Sequence, residues 1–224
     1  MMFTFIFPVL LVLIFGALIR TEPGEGGLFA EPAAYYLAGY LAVVVLFTPL
    51  SRISATTVRY REGNRFEKLA STPLTRSGWL FAHTVVTAVI VLISSLLILA
   101  LIAALRIAPF PRAPAILPMI VLGVVLFAGI GAIIGRVAKT EDGAIAVANT
   151  IALPMLFLAE TFVPPTMLPT WFLPIVAAMP LTYFTRGVRA AMENAGGWGG
   201  SFLVLAGLAL LAFVLGALAI PEVE

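Results

Sequence analysis

Seven long stretches of this chain contain no charged side chain, a pattern that soluble folds rarely show. These stretches cover residues 1–19, 32–51, 77–105, 113–135, 143–159, 161–185 and 194–221. A helix needs about 20 mostly apolar residues to cross the hydrocarbon core of a bilayer. Charged residues make up only 11% of the sequence, whereas soluble domains carry about a quarter. We therefore expect an all-α polytopic membrane protein.

Six of the seven stretches predict transmembrane helices. The expected spans are 3–19, 34–51, 79–105, 115–135, 143–162 and 201–220, within a single domain of residues 1–224. The remaining stretch is interrupted by prolines, which remove backbone donors and break helices. These are Pro164, Pro165, Pro169, Pro174 and Pro180. We expect residues 164–192 to form short broken helices shielded by protein, or a re-entrant element at one membrane face.

Lys and Arg are distributed unevenly between the two predicted sides of the membrane. The loops 52–76 and 136–142 carry eight: Arg52, Arg59, Arg61, Arg65, Lys68, Arg76, Arg136 and Lys139. The opposite side carries five: Arg20, Arg106, Arg112, Arg186 and Arg189. Because cytoplasmic loops hold the excess of basic residues, we expect the loops 52–76 and 136–142 and both chain termini to be cytoplasmic.

Residues 59–81, called the island below, form a basic segment between two apolar stretches. Gly63 supplies a turn, Asn64 can cap a helix, and Glu67 lies three residues further on, at capping-box spacing. Pro73 disfavours helical geometry in the residue before it. The pattern predicts a short surface helix over about 64–71.

Phe66 and Leu69 share one face of that predicted helix, and basic residues surround them. Such a face suits a helix that lies among lipid headgroups or docks into the groove of a partner. A positively charged loop that only sets topology remains an equal alternative.

Several classes of catalytic site are excluded by composition. The chain has no cysteine and a single histidine, His83, so a disulfide framework, a thiolate metal site and a histidine cluster are absent. His83 is expected to be an interfacial polar residue. Because no G-x-x-x-x-G-K-[ST] phosphate loop occurs, any nucleotide site that serves this protein must lie on another chain.

Small and hydroxylated residues within the spans predict helix packing. Gly131 and Gly135 form a G-x-x-x-G pair, a weak motif that permits close approach of a neighbouring helix. Ser94 and Ser95 in the third span, and Asn149 and Thr150 in the fifth, are expected to bond across helices as packing contacts.

Glu160 is an acid at the end of a predicted span, where it is costly unless solvated or paired. Arg186 and Arg189 are three residues apart and share a helical face. We hypothesise that Glu160 pairs with one of them and helps to hold an outer gate closed. Pro164, Pro180 and Tyr183 lie in the same gate segment. The alternative is that all three charges are solvated.

Two motifs resemble those of ABC-2-type exporter permeases. The island resembles their first cytoplasmic loop at Arg61, Glu62, Gly63, Asn64, Glu67, Leu69, Thr72 and Pro73. Residues 154–192, with M-L-P, a Trp, M-P-L-T-Y and a closing Arg, are similar to the family's region after the fifth span. The chain departs at Ala159 and Glu160, where members usually have Ser-Gly.

The resemblance covers essentially the whole chain and implies a six-helix permease half in a prokaryotic plasma membrane. It implies dimerisation with a second copy or a paralogue, contact with lipid, and no nucleic acid. ATP and Mg²⁺ would be bound by partner ATP-binding subunits, and this chain would hold no cofactor, metal or catalytic residue. The island would be the coupling helix, and its candidate ATPase-coupling residues are Glu62, Gly63, Phe66, Glu67, Leu69 and Pro73.

Two alternatives stay open. A haem-exporter B-type permease is similar in size and span count, although the P-L-T-Y-F-T-R-G-V-R segment argues against it. The chain could also be an intramembrane enzyme or an assembly factor without a transport role. The sequence does not indicate a transported substrate.

Overall fold

The computed structural model describes residues 10, 13, 33–63, 66, 75–106, 114–192 and 197–220. These residues form helices joined by turns, and no strand occurs among them. The helices are α1 (Ala33–Glu62), α2 (Arg76–Ala104), α3 (Ile116–Val137), α4 (Glu141–Leu158), α5 (Leu173–Ala178), α6 (Pro180–Met192) and α7 (Trp198–Ala219). The expected all-α polytopic class is confirmed.

Within the described residues, five helices are long and apolar enough to cross a membrane: α1, α2, α3, α4 and α7. Of the first predicted span, 3–19, only Leu10 and Leu13 are among the described residues, and both are helical. The rest of that span lies outside the part of the chain that the structure describes.

Helix α1 is longer than predicted. The predicted span ends at residue 51, but the helix continues through Arg52 and Arg59 to Glu62. The first turn of the island is therefore the last turn of α1, rather than part of a loop. Hydropathy locates the end of an apolar stretch, whereas charged residues have good helix propensity and let the helix continue beyond it.

The proline-rich segment after α4 is broken into short elements. Two 3₁₀ turns, Pro165–Met167 and Thr170–Phe172, precede the single-turn helix α5 and the longer helix α6. Pro180 is the first residue of α6. An N–H at this position makes no hydrogen bond within the helix, so proline is tolerated there. The prediction of short broken helices holds for this segment.

Helix α1 occupies the centre of the bundle, in contact with α2, α3, α4 and α6. Its large side chains Tyr36, Leu41 and Leu46 are fully buried. Large apolar side chains remain exposed on the outer helices, for example Ile93 on α2 and Leu210 on α7. An apolar exterior of this kind matches a lipid environment.

Glycines allow α3 to approach two neighbouring helices closely. A Cβ atom at Gly135 would lie 2.6 Å from the carbonyl oxygen of Ser54 on α1, and one at Gly131 would lie 2.9 Å from Leu50 O. On another face of α3, a Cβ atom at Gly216 of α7 would lie 2.6 Å from Gly129 O. The G-x-x-x-G pair thus lies against α1.

Two of the four side chains expected to bond across helices bond within their own helix. Ser94 donates to Ile90 O at 2.9 Å, and Thr150 donates to Ala146 O at 2.9 Å. The prediction was wrong for these two residues because the carbonyl four residues earlier is always within reach of a helical Ser or Thr.

Candidate functional site

Two polar networks lie at opposite ends of the antiparallel helices α1 and α4. One surrounds Glu160, just after the end of α4 and beside the start of α1. The other surrounds Glu141, at the start of α4 and beside the end of α1. We call these the Glu160 end and the basic end.

Glu160 has an unusual backbone conformation in the turn that follows α4. Its φ angle is 56°, in the left-handed region that favours glycine. A non-glycine residue held there costs about 1–3 kcal/mol and persists only when its surroundings stabilise it. The Glu160 side chain is 4% exposed, so its carboxylate requires a partner within the protein.

Arg186 on α6 is that partner. Its Nε donates to Glu160 Oε2 at 3.0 Å, and its Nη2 donates to Oε1. This two-point geometry is the strongest form of a side-chain ion pair. The hydrogen bonds to Glu160 raise the pKa of Arg186 above its ordinary value. The structure thus brings together one of the two pairs hypothesised from the sequence, and a gating role stays a prediction.

Arg189 binds the backbone of the same turn rather than the carboxylate. Its Nη2 donates to Glu160 O and to Thr161 O, the latter at 3.2 Å, and its Nε donates to Tyr35 O at 3.3 Å. Its guanidinium carbon lies 3.6 Å from the centroid of the Tyr35 ring, a cation–π distance. Arg189 therefore joins the start of α1 to the Glu160 turn.

Tyr35 completes this network, although its place in the sequence did not single it out. Its hydroxyl donates to Glu160 O at 3.2 Å. The available signal was weak, since a Tyr at the start of an apolar stretch is common at membrane interfaces. Nothing in the spacing connects Tyr35 with residues 125 or more positions later.

The other gate candidates lie in the same region. Thr185, the neighbour of Arg186, donates to Ala159 O at 3.1 Å and so attaches α6 to the turn from a second side. Tyr183 is partly buried against the main core. Pro164 is buried just before the first 3₁₀ turn, and Pro180 begins α6.

At the basic end, Arg59 of α1 pairs with Glu141 of α4. Arg59 Nε donates to Glu141 Oε1 at 2.8 Å, and Nη2 to Oε2 at 2.5 Å. The two side chains are 55% and 32% exposed, so solvent weakens this pair far more than the Glu160 pair. Glu141 also lies in the first turn of α4, where a carboxylate favours the helix dipole.

Phe66 points into its own chain. It is 8% exposed and lies in a cluster of aromatic rings, 5.6 Å from Tyr60 and 5.2 Å from Trp79 between ring centroids. The prediction of an outward docking contact at Phe66 is therefore corrected: the ring anchors the island to the ends of α1 and α2. Helical spacing shows that a face is apolar, but not what covers it.

The remaining coupling candidates are described only in part. Glu62 and Gly63 are exposed at the end of α1, whereas Glu67, Leu69 and Pro73 lie outside the described residues. The coupling role of all six stays a prediction. His83 is half-buried, with its ring 4.4 Å from Trp79, and belongs to the same aromatic cluster. No group of three or more metal-binding side chains occurs in the described part of the chain.

This helical bundle, with apolar outer faces and polar networks at its two ends, is the membrane domain of a polytopic protein. A family model described as ABC-2 type transporter matches residues 1–192. The chain therefore belongs to the ABC-2 type transporter family and is a permease component of an ABC transporter. No curated protein matches it.

Proposed function

We propose that this chain is the permease subunit of an ABC exporter, which forms the translocation path and depends on separate ATP-binding subunits. The match to the ABC-2 type transporter family over residues 1–192 carries this proposal. The lack of a phosphate-binding loop in the sequence supports a nucleotide site on a partner chain. The assembly would contain two permease chains, identical or paralogous, and two ATPases holding ATP and Mg²⁺, in a prokaryotic plasma membrane.

The island is the proposed contact with the ATPase. Its position between α1 and α2 supports this role, because a force on the island acts directly on two spans. The ring of Phe66 packs on Tyr60 of α1 and Trp79 of α2, so the island contacts both helices through this side chain. Exposed Glu62 and Gly63 are then the docking contacts within the described residues.

The Glu160 end is the proposed outer gate. Tyr35 and Arg59 are separated by 24 helical positions, or about 36 Å at 1.5 Å per residue. This distance exceeds the hydrocarbon core, about 30 Å thick. The two networks therefore suit opposite faces of the membrane. With the basic end and both termini in the cytoplasm, the Glu160–Arg186 pair would close the path on the outer side.

Co-purification with the ATPase encoded nearest to this gene, followed by reconstitution into liposomes, tests the proposal. We expect a stable complex with vanadate-sensitive ATP hydrolysis. A chain that binds no ATPase would instead be a membrane enzyme or an assembly factor. A complex that exports haem would favour the haem-exporter B-type interpretation.

A further inference from the structure

Three arginines at the basic end donate hydrogen bonds to backbone carbonyls at the ends of neighbouring helices. Arg61, in the last turn of α1, donates through Nη1 to Gly135 O at 3.2 Å and to Arg136 O, and through Nη2 to Ala138 O. All three acceptors belong to the C-terminal end of α3. One guanidinium thus caps a helix to which it does not belong.

The C-terminal end of α7 is held in the same way from two sides. Arg136 of α3 donates through Nη1 to Ala219 O at 2.8 Å. Arg76, the first residue of α2, donates through Nη1 to Ile220 O at 3.1 Å. We call Arg61, Arg76 and Arg136 the arginine clamp.

The chemistry of these contacts explains their use at this position. The last carbonyls of a helix have no partner within the helix, and a cation near them also favours the helix dipole. The planar guanidinium can bridge several carbonyls at fixed angles, which an ammonium group cannot do. A cap supplied by a neighbouring helix therefore acts as a mechanical link between the two helices.

The links form a closed circuit around the basic end. Arg61 joins α1 to α3, Arg136 joins α3 to α7, and Arg76 joins α7 to α2. The island closes the circuit, because residues 63–75 connect α1 to α2. Arg61 and Arg76 therefore lie within the island, one on each side of the segment that joins the two helices.

We propose that the arginine clamp makes α3 and α7 move together with the island, so that Arg61, Arg76 and Arg136 are positioning residues for coupling. This inference rests on the proposed role of the island as the ATPase contact. Without the clamp, a displaced island would act directly only on the ends of α1 and α2. With it, the displacement reaches every helix whose end lies in the circuit.

Paired spin labels can test the clamp, since the natural chain contains no cysteine. Ser77, exposed at the start of α2, and Val137, 77% exposed at the end of α3, are each replaced by cysteine and labelled. The distance between the labels is measured in the reconstituted complex, before and after trapping with ATP and vanadate. We expect no change, because the clamp keeps the two ends together.

The variant that opens the circuit combines Arg61→Gln with Arg136→Gln. We expect the distance between its two labels to shift, or its distribution to broaden, on trapping. The control is Lys139→Gln, which alters an exposed basic residue between α3 and α4 and should leave the distance unchanged. The proposal would be overturned if the distance changed on trapping while all three arginines were present, or if it stayed unchanged in the double variant. Failure to form any trapped complex would instead overturn the proposed function, and the clamp's role in coupling with it.

A second variant separates coupling from mere stability. Arg61→Lys, combined with Arg136→Gln so that no other clamp link joins α3 to α2, keeps a positive charge at the end of α3 but loses the fork that binds three carbonyls. We expect this variant to retain most of the thermal stability in detergent and still to broaden the label distance on trapping. If the lysine variant showed no change in label distance on trapping, charge alone would be sufficient, and this result would contradict the clamp.

Discussion

Arg186 forms two hydrogen bonds with the Glu160 carboxylate. They attach α6 to a turn whose backbone conformation at residue 160 favours glycine. The ion pair and the left-handed backbone occur at the same residue. The side chain that is conformationally unfavourable at position 160 is thus the one that makes the buried contact.

A double-mutant cycle should measure this pair. Glu160→Gln and Arg186→Gln should each destabilise the protein, with a coupling energy of about 1–3 kcal/mol. We expect less than the cost of breaking a fully buried pair, about 3–5 kcal/mol, because the Arg186 side chain is 44% exposed. Thermal unfolding in detergent and transport by the assembled complex are the two measurements. Strictly additive effects on both would exclude a gate held by this pair.

Substitutions that remove the carboxylate should differ according to backbone freedom. Glu160→Gly and Glu160→Ala both lose the ion pair, but only glycine adopts a φ of 56° without strain. The glycine variant should therefore be more stable than the alanine variant by about 1 kcal/mol. Equal stabilities would mean that the turn relaxes once the carboxylate is removed.

Removal of the Phe66 ring should loosen the island. Phe66→Ala deletes a buried aromatic side chain, a change that costs about 3–5 kcal/mol in well-packed cores. We expect ATP hydrolysis to be uncoupled from transport, with membrane insertion intact. Phe66→Leu retains most of the apolar contact and serves as the control. Full coupling in the alanine variant with normal ATPase binding would contradict the anchoring role.

Close helix packing can be tested with a matched pair of glycines. Gly135→Ala places a methyl group against backbone atoms of α1, whereas a methyl group at Gly207 of α7 would meet no atom within 4 Å. We expect Gly135→Ala to cost about 1–3 kcal/mol, as overpacking does. Gly207→Ala should be neutral or slightly stabilising, because alanine is the better helix former. The melting temperatures of the two variants in detergent decide the matter.

Single cysteines should reveal the orientation of the two ends. Lys139 lies at the basic end and Thr170 in the segment after Glu160, and both are exposed. Given the excess of basic residues in the loops of the basic end, a cysteine at 139 should react with an impermeant maleimide only from the cytoplasm. One at 170 should react only from outside. Reaction of both from one face would refute the proposed topology.

Local features of the sequence predicted local features of the structure. The apolar stretches predicted the positions of α1–α4 and α7, and the prolines predicted the broken segment before α6. Gly131 and Gly135 pack against a neighbouring helix, as their spacing indicated. These properties depend on stretch length, backbone donors and side-chain size, which are encoded by residues adjacent in the chain.

The sequence by itself determined that the protein is an all-helical membrane domain, and it singled out Glu160, Arg186 and Arg189 as charges that are either paired or solvated. Only the tertiary structure decided who those partners are: Arg186 rather than Arg189 for the Glu160 carboxylate, and the ends of α3 and α7 for Arg61, Arg76 and Arg136. It also turned Phe66 inward. The physical reason is that the free energy of these contacts depends on residues that helix packing brings together. The spacing of these residues along the chain does not indicate that they will meet.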